Sequence, residues 1–208
     1  MCLLSQSEMY VTVVDRTKIS DVVDIHIAAF PNFFLTTLGK DFLTDYYSSF
    51  VDNSKGTLLG CFDGKSLVGF CCAAYKSRGF NSFLIKSHFL LFAKRFIILL
   101  IKDRHAILRL IKNFSKRGVN KNDSASYAEL YSIAVSPNLQ CSGCGKLLMF
   151  TLEKELINRK VSYLSLTTDV YCNENTLKFY FRLGFKIFYS FTSYPDRQMY
   201  RLIKKINV

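Results

Sequence analysis

The stretch from Leu130 to Phe150 constrains this chain most: Leu-Tyr-Ser-Ile-Ala-Val-Ser-Pro-Asn-Leu-Gln-Cys-Ser-Gly-Cys-Gly-Lys-Leu-Leu-Met-Phe. Leu130 to Val135 is a short apolar run rich in strand formers. Pro137 ends it, because proline has no N–H to give to a sheet ladder. Gln140 to Gly145 is a glycine-bearing turn. From Lys146 onward, Leu147, Leu148, Leu152 and Leu156 recur at helical spacing. A strand, such a turn and a helix start leave backbone N–H groups unpaired at one spot, where the helix dipole is also positive. That combination is an anion site suited to a pyrophosphate.

Two familiar phosphate loops do not fit. The P-loop needs Gly, four residues, then Gly-Lys-Ser/Thr, which this turn lacks. The dinucleotide fingerprint needs a third glycine where Leu148 stands. What remains is Gln140-x-x-Gly143-x-Gly145 after a strand ending Ala-Val-Ser-Pro. It resembles the pyrophosphate loop of the GCN5-related N-acetyltransferase (GNAT) superfamily. A second segment, from Asn173-Glu-Asn-Thr176 through Tyr180 to Gly184-Phe185, is similar to that family's Asn-x-x-Ala-x-x-x-Tyr-x-x-x-Gly-Phe segment, with Thr176 at the Ala position. An ordinary strand–turn–helix with a C-capping Gly184 would account for either motif alone. It does not account for both in order.

The resemblance implies an α/β (α+β) domain over 1–208, with a mixed, mostly antiparallel, splayed sheet flanked by helices. It implies acetyl-CoA as acetyl donor, no metal, and direct transfer to a primary amine. The cofactor-binding residues are then Ile133, Ala134 and Val135 on the strand, Gln140, Cys141, Ser142, Gly143, Cys144, Gly145 and Lys146 in the turn, and Asn173, Thr176 and Tyr180. Family members often carry Arg or Lys at the Ser142 position, and Lys146 is expected to supply that charge. Tyr180 resembles the tyrosine that acts as general acid beside the sulfur. A core tyrosine on a helix is the plainer reading. Glu129 falls where the histone-acetylating branch carries its glutamate. Between apolar strand residues, a carboxylate would have its pKa raised, which suits a base working through water. The plainer reading there is a strand glutamate paired with Lys or Arg.

Glu129, Tyr131, Ile133 and Val135 alternate onto one face, so Tyr131 is a candidate for the acceptor pocket. Phe33 and Phe34 are candidates too, since the two-helix region that holds them covers the acceptor in the resembled family. The alternative is that these aromatics only pack helix to helix. The Phe-rich segment Phe30–Gly39, with the basic insertion described next, resembles bacterial proteins of surface-polysaccharide pathways. This implies an amino sugar, nucleotide- or lipid-linked, as acceptor. A protein lysine, another small amine, or a catalytically idle CoA-binding scaffold at a membrane stay open.

The charge is concentrated in one place. Residues 76–121 hold twelve Lys/Arg against one Asp, a net of +11 within a chain of +12. The segment reads as a helical insertion. Lys102, His105, Arg109, Lys112 and Lys116 step by three or four and share a helix face, beside Leu- and Ile-rich surface. It is expected either to touch an anionic membrane surface peripherally or to solvate its charged side. It is too greasy for a nucleic-acid arm.

No run is long and uncharged enough to span a bilayer, and no basic region precedes the apolar start, so a cytoplasmic place, peripheral at the inner face of the membrane, is expected. Seven cysteines, an odd and irregularly spaced set, fit reduced thiols better than a disulfide scaffold. Cys141 and Cys144 form a Cys-x-x-Cys, read as turn positions rather than a zinc or redox pair.

Elsewhere the pattern gives a first strand over Met9–Val14, a helix capped by Ser20 or Asp21, and a second helix over Thr37–Phe50 after Pro31. His26 reads as a helix-surface or satisfied core residue rather than a base. A hairpin turns at Asp63-Gly64-Lys65 between strands Thr57–Phe62 and Leu67–Tyr75. Strands over Tyr127–Val135 and Val161–Thr168, a helix over Asn173–Leu183 and a closing strand pair, Phe185–Tyr194 and Arg197–Lys205, complete the reading.

Overall fold

The computed structural model describes residues 9–51, 53–87, 123–140, 142–193 and 196–207. Strand β1 (Tyr10–Val13) lies antiparallel on β2 (Gly56–Asp63), with Tyr10 opposite Phe62. Asp15 then accepts from the Thr17 N–H at 2.7 Å and caps a 3-10 turn over Arg16–Lys18, which runs into α1 (Ile19–Ala29). Helix α1 itself takes no side-chain cap, from Ser20, Asp21 or any other residue: its N-cap position is Lys18, because the chain enters it from the 3-10 turn that Asp15 caps. The helix expected over Thr37–Phe50 is α3 (Lys40–Ser48), and the apolar stretch before it forms a short helix of its own, α2 (Phe34–Thr37). Gly39 lies between them at φ +92, a left-handed conformation that ends one helix and starts the next.

The β2–β3 hairpin turns at Gly64, φ +59, into β3 (Ser66–Ala74). Helix α4 (Phe80–Ser87) follows. Its Phe80 and Leu84, one turn apart, are both buried. The basic face expected from Lys102 to Lys116 lies outside the described residues. Beyond it come β4 (Ala128–Val135), a 3-10 turn over Pro137–Leu139, α5 (Cys144–Asn158), β5 (Tyr163–Asp169), α6 (Glu174–Arg182), β6 (Lys186–Ser193) and β7 (Arg197–Lys205). Helix α5 begins at Cys144, two residues before the expected Lys146, directly after a glycine that can turn the chain into it.

The strands hydrogen-bond in the order β1-β2-β3-β4-β5-β7-β6. β4 and β5 are parallel, whereas β1–β2, β5–β7 and β6–β7 are antiparallel, giving the mixed, mostly antiparallel sheet expected. β4 pairs with β5 over Ala128–Leu130 and runs five residues further, to Val135.

The chain forms two compact units. One holds Met1–Ala73 and Ser132–Glu155. Its core is Val22 and Val23 of α1, Leu43 and Tyr47 of α3, Phe70 of β3, and Leu148 and Leu152 of α5, all fully buried. Each such side chain contributes about 2 kcal/mol on leaving water. The other unit holds Ala74–Tyr131 and Leu156–Val208, around Leu156, Leu164, Leu166 and Leu202. Among the described residues, no helix is long and apolar enough to cross a membrane.

Candidate active site

The turn after β4 is set by backbone hydrogen bonds at both of its ends. The Ser136 N–H donates to the Val68 carbonyl at 2.8 Å, and the Leu139 N–H to that of Ser136 at 2.9 Å. These bonds end the strand and fix where the turn begins. Gly143 sits at φ +91, and a Cβ on it would meet nothing within 4 Å. The glycine therefore serves backbone conformation and open approach rather than packing. Its carbonyl accepts from the Leu147 N–H at 3.0 Å, the first rung of α5. The N–H groups of Cys144, Gly145 and Lys146 are then first-turn donors with no intrahelical acceptor, at the positive end of a 15-residue helix. Gln140, Ser142 and Lys146 are exposed around this opening.

Cys144 is different. Its side chain is buried, with Sγ only 2.6 Å from where a Cβ on Gly69 would stand. Its thiol belongs to the core. Cys141 lies outside the described residues. Among the described residues, no group of His, Cys, Asp and Glu could hold a metal ion.

Glu129, the candidate base, is 2% exposed and carries a partner on each oxygen. Arg201 Nη1 donates to Oε1 at 2.8 Å and the Ser77 hydroxyl donates to Oε2. The register explains this: Glu129 lies opposite Ser165, and Arg201 of β7 lies diagonally beyond, its Nη1 also donating to Ser165 Oγ at 3.5 Å. Burial works against the Arg201 charge, but the Glu129 carboxylate and neighbouring tyrosines more than offset it, so its pKa is raised. The glutamate is thus a buried ion-pair partner, the plainer of the two readings its residue type allows. Nearby, the hydroxyls of Tyr127 and Tyr189 both donate to Asp123, each at 2.7 Å. Tyr131 is half-buried, its hydroxyl donating to Asn81 Oδ1 at 3.0 Å and its ring 5.5 Å from Phe80.

Asn173 and Tyr180 bracket α6. The Asn173 side-chain amide donates to Thr168 Oγ1 at 2.6 Å and to the Asp169 carbonyl at 2.9 Å, pinning the helix start to the end of β5. Thr176 is exposed on the first turn. Tyr180 is 5% exposed, between the rings of Phe179 and Phe185 at 5.2 and 5.6 Å. Gly184, φ +88, closes the helix, and the Phe185 N–H returns to the Tyr180 carbonyl at 3.1 Å.

A polar chain the sequence did not reveal crosses the other unit. His26 Nδ1 lies 2.7 Å from the Tyr47 hydroxyl, which reaches Ser132 Oγ of β4 at 3.4 Å. His26 is 2% exposed, as a core histidine, and burial pulls its pKa down to about 4. The unfolded chain binds this proton near pH 6.5, the folded one only near 4. Stability is therefore expected to fall as pH drops from about 6.5 to about 4, and to level off below, by about 3 kcal/mol in all. Urea midpoints across this range should slope less in His26→Gln than in wild type. Equal slopes would contradict the assignment. Phe33 is 42% exposed with its ring 4.8 Å from Phe30, whose ring is 5.1 Å from His26, and Phe34 is half-buried.

A seven-stranded mixed sheet, a glycine turn after its fourth strand and a helix start at that turn define an acetyltransferase-type fold. The comparisons agree. The sequence model of the acetyltransferase (GNAT) family matches residues 19–185, and the chain belongs to that family. No curated protein matches by sequence.

Its fold is similar to that of the ribosomal-protein-S18-alanine N-acetyltransferase from Escherichia coli, at 14% identity, TM-score 0.62, covering 97% of this chain and 96% of that one. It is also similar to the PaiA N-acetyltransferase from Thermoplasma acidophilum in complex with coenzyme A, at 13% identity and TM-score 0.60, covering 95% and 99%. A third similar structure is a histone acetyltransferase HPA2 and related acetyltransferase from Corynebacterium glutamicum, at 15% identity and TM-score 0.61, covering 96% and 97%.

Proposed function

We propose that this protein transfers the acetyl group of acetyl-CoA directly to a primary amine. The observation that carries the reading is Gly143, held at φ +91 with open space above its α-carbon at the start of α5. A side chain there would stand where a diphosphate must approach the N–H groups of Cys144, Gly145 and Lys146. The exposed Lys146 supplies the side-chain charge that Ser142 lacks. Ile133, Ala134 and Val135 offer main-chain groups to the pantetheine arm, and Asn173 and Thr176 are proposed to border the cofactor.

In the reaction, the amine nitrogen forms a bond to the acetyl carbon as the carbon–sulfur bond breaks. The amine gives up a proton to solvent, and the leaving thiolate takes one from the Tyr180 hydroxyl. An uncharged phenol, acidic near pH 10, is a fitting donor to a thiolate. Tyr180→Phe is expected to lower kcat by roughly tenfold to several hundredfold while sparing coenzyme A affinity. Equal kcat in the folded variant would leave Tyr180 a core residue.

Among amines, an amino sugar is the proposed acceptor. The half-exposed Phe33 beside Phe30 offers aromatic surface of the kind that takes the apolar face of a sugar ring. The contact of 76–121 with an anionic membrane belongs to the same proposal and rests on its +11 charge. Incubation with acetyl-CoA and a panel of amines, read by mass spectrometry of the products, tests the reading. The panel holds glucosamine, an amino-sugar nucleotide, spermidine and peptides with free N-terminal or lysine amines. Acetylated sugar is the expected product. Acetylation of peptides alone would overturn the sugar assignment, and coenzyme A binding without any product would favour a scaffold.

A further inference from the structure

The chain His26–Tyr47–Ser132 has a direction. Its inner members are closed off: His26 is 2% exposed and Tyr47 fully buried, whereas Ser132 is half-buried. The chain meets solvent at Ser132. His26 Nε2 is buried and has no hydrogen-bond partner among the described residues. A neutral imidazole carries one N–H. Placed on Nε2, that proton would be an orphaned buried donor, and orphaned donors are rarer and costlier than under-used acceptors. Placed on Nδ1, it donates to the Tyr47 oxygen 2.7 Å away. The Tyr47 O–H then donates to Ser132 Oγ at 3.4 Å, and the Ser132 proton is left to point out of the chain. Burial keeps both inner groups uncharged near neutral pH, holding His26 down to about 4 and pushing Tyr47 well above the usual phenol range. The arrangement is therefore an aligned donor rather than a proton sink.

Its place narrows what it donates to. Ser132 lies on β4 next to Ile133, on the stretch that leads into the Gly143 turn. If the turn holds the diphosphate, this part of the strand lies beside the arm and its thioester. An aligned donor repels an ammonium and suits an oxygen that gains negative charge. We propose that the Ser132 hydroxyl, oriented by Tyr47 and His26, donates to the thioester carbonyl oxygen of the acetyl donor, alongside the neighbouring Ile133 N–H. Ser132 is then a catalytic residue, and Tyr47 and His26 are positioning residues that act through it. The inference rests on the acetyl-CoA reading of the turn.

The test has two arms. In the first, 15N NMR of histidine-labelled protein reads the His26 tautomer without any ligand. Protonation on Nδ1 is expected, and protonation on Nε2 overturns the direction of the chain. In the second, calorimetry compares acetyl-CoA with S-ethyl-coenzyme A, which keeps the shape but lacks the carbonyl. Ser132→Ala should weaken acetyl-CoA about fivefold and leave S-ethyl-coenzyme A unchanged. Ser132→Thr, which keeps the hydroxyl, should retain wild-type preference. Tyr47→Phe should lose about half of the preference. Equal weakening of both ligands by Ser132→Ala, or no effect on either, overturns the proposal. Wild-type protein that binds neither ligand overturns the acetyl-CoA reading, and this proposal with it, while the tautomer arm still reports on the chain itself.

Discussion

Gly143→Glu is expected to lower coenzyme A affinity by at least about 100-fold. A carboxylate at this position would stand in open space where the first-turn N–H groups of α5 converge. Two like charges about 4 Å apart near a protein surface repel by about 4 kcal/mol at an effective dielectric constant of about 20, and each 1.4 kcal/mol is about tenfold in affinity. The φ of +91 adds a separate cost for any side chain, about 1–2 kcal/mol. Gly143→Ala separates the two: it carries the backbone strain without the charge, and should lose about tenfold or less. A negative side chain at a helix N-terminus is compatible with the dipole, so the glutamate variant should stay folded. Calorimetry with coenzyme A on both variants, with circular dichroism as the folding control, checks the pair. Equal losses in the two would assign the whole effect to strain and remove the anion cradle from the account.

Arg201→Met is expected to be the most destabilising of the substitutions considered. Arg201 and Glu129 are 5% and 2% exposed at the side chain and 2.8 Å apart. Removing one member of such a pair leaves an uncompensated buried charge and costs about 3–5 kcal/mol. In a chain of this size, that should lower the melting temperature by about 10 °C. The double variant Arg201→Met/Glu129→Leu should recover most of the loss, because an apolar pair of similar volume has no desolvated charge to support. Thermal and urea unfolding of the single and double variants measure both effects. A single variant within 1 kcal/mol of wild type would show that the pair is not the buried lock described. The Ser77 hydroxyl on the other carboxylate oxygen makes Glu129→Gln informative as well, since a glutamine keeps shape and one acceptor but loses the charge.

The parts of the molecule legible in sequence are those encoded locally. The turn could be read because Gly143, Gly145 and the leucines that follow are fixed by spacing within one short stretch. The hairpin at Gly64 could be read for the same reason, and so could the close of α6 at Gly184. The break between α2 and α3 was less visible, because Leu38 continues the apolar pattern and only Gly39 departs from it. The start of α1 was less visible too, because Ser20 and Asp21 stand beside the periodic residues while the chain enters the helix from a 3-10 turn capped by Asp15.

Long-range pairings were not legible at all. Glu129 and Arg201 meet across 72 positions, and alternation along β4 says which face a side chain takes but not what stands opposite. His26, Tyr47 and Ser132 come from two helices and a strand, and no spacing rule links them. Cys144 was legible as a turn position rather than half of a metal or redox pair, but nothing in the spacing shows that its thiol is buried in the core.

The central claim, that the Gly143 turn holds the diphosphate of acetyl-CoA, is tested most directly by titrating the wild-type protein with acetyl-CoA in a calorimeter, with and without inorganic pyrophosphate. One saturable site is expected, weakened competitively as pyrophosphate is raised. No saturable heat, or an acetyl-CoA affinity indifferent to pyrophosphate, would contradict it.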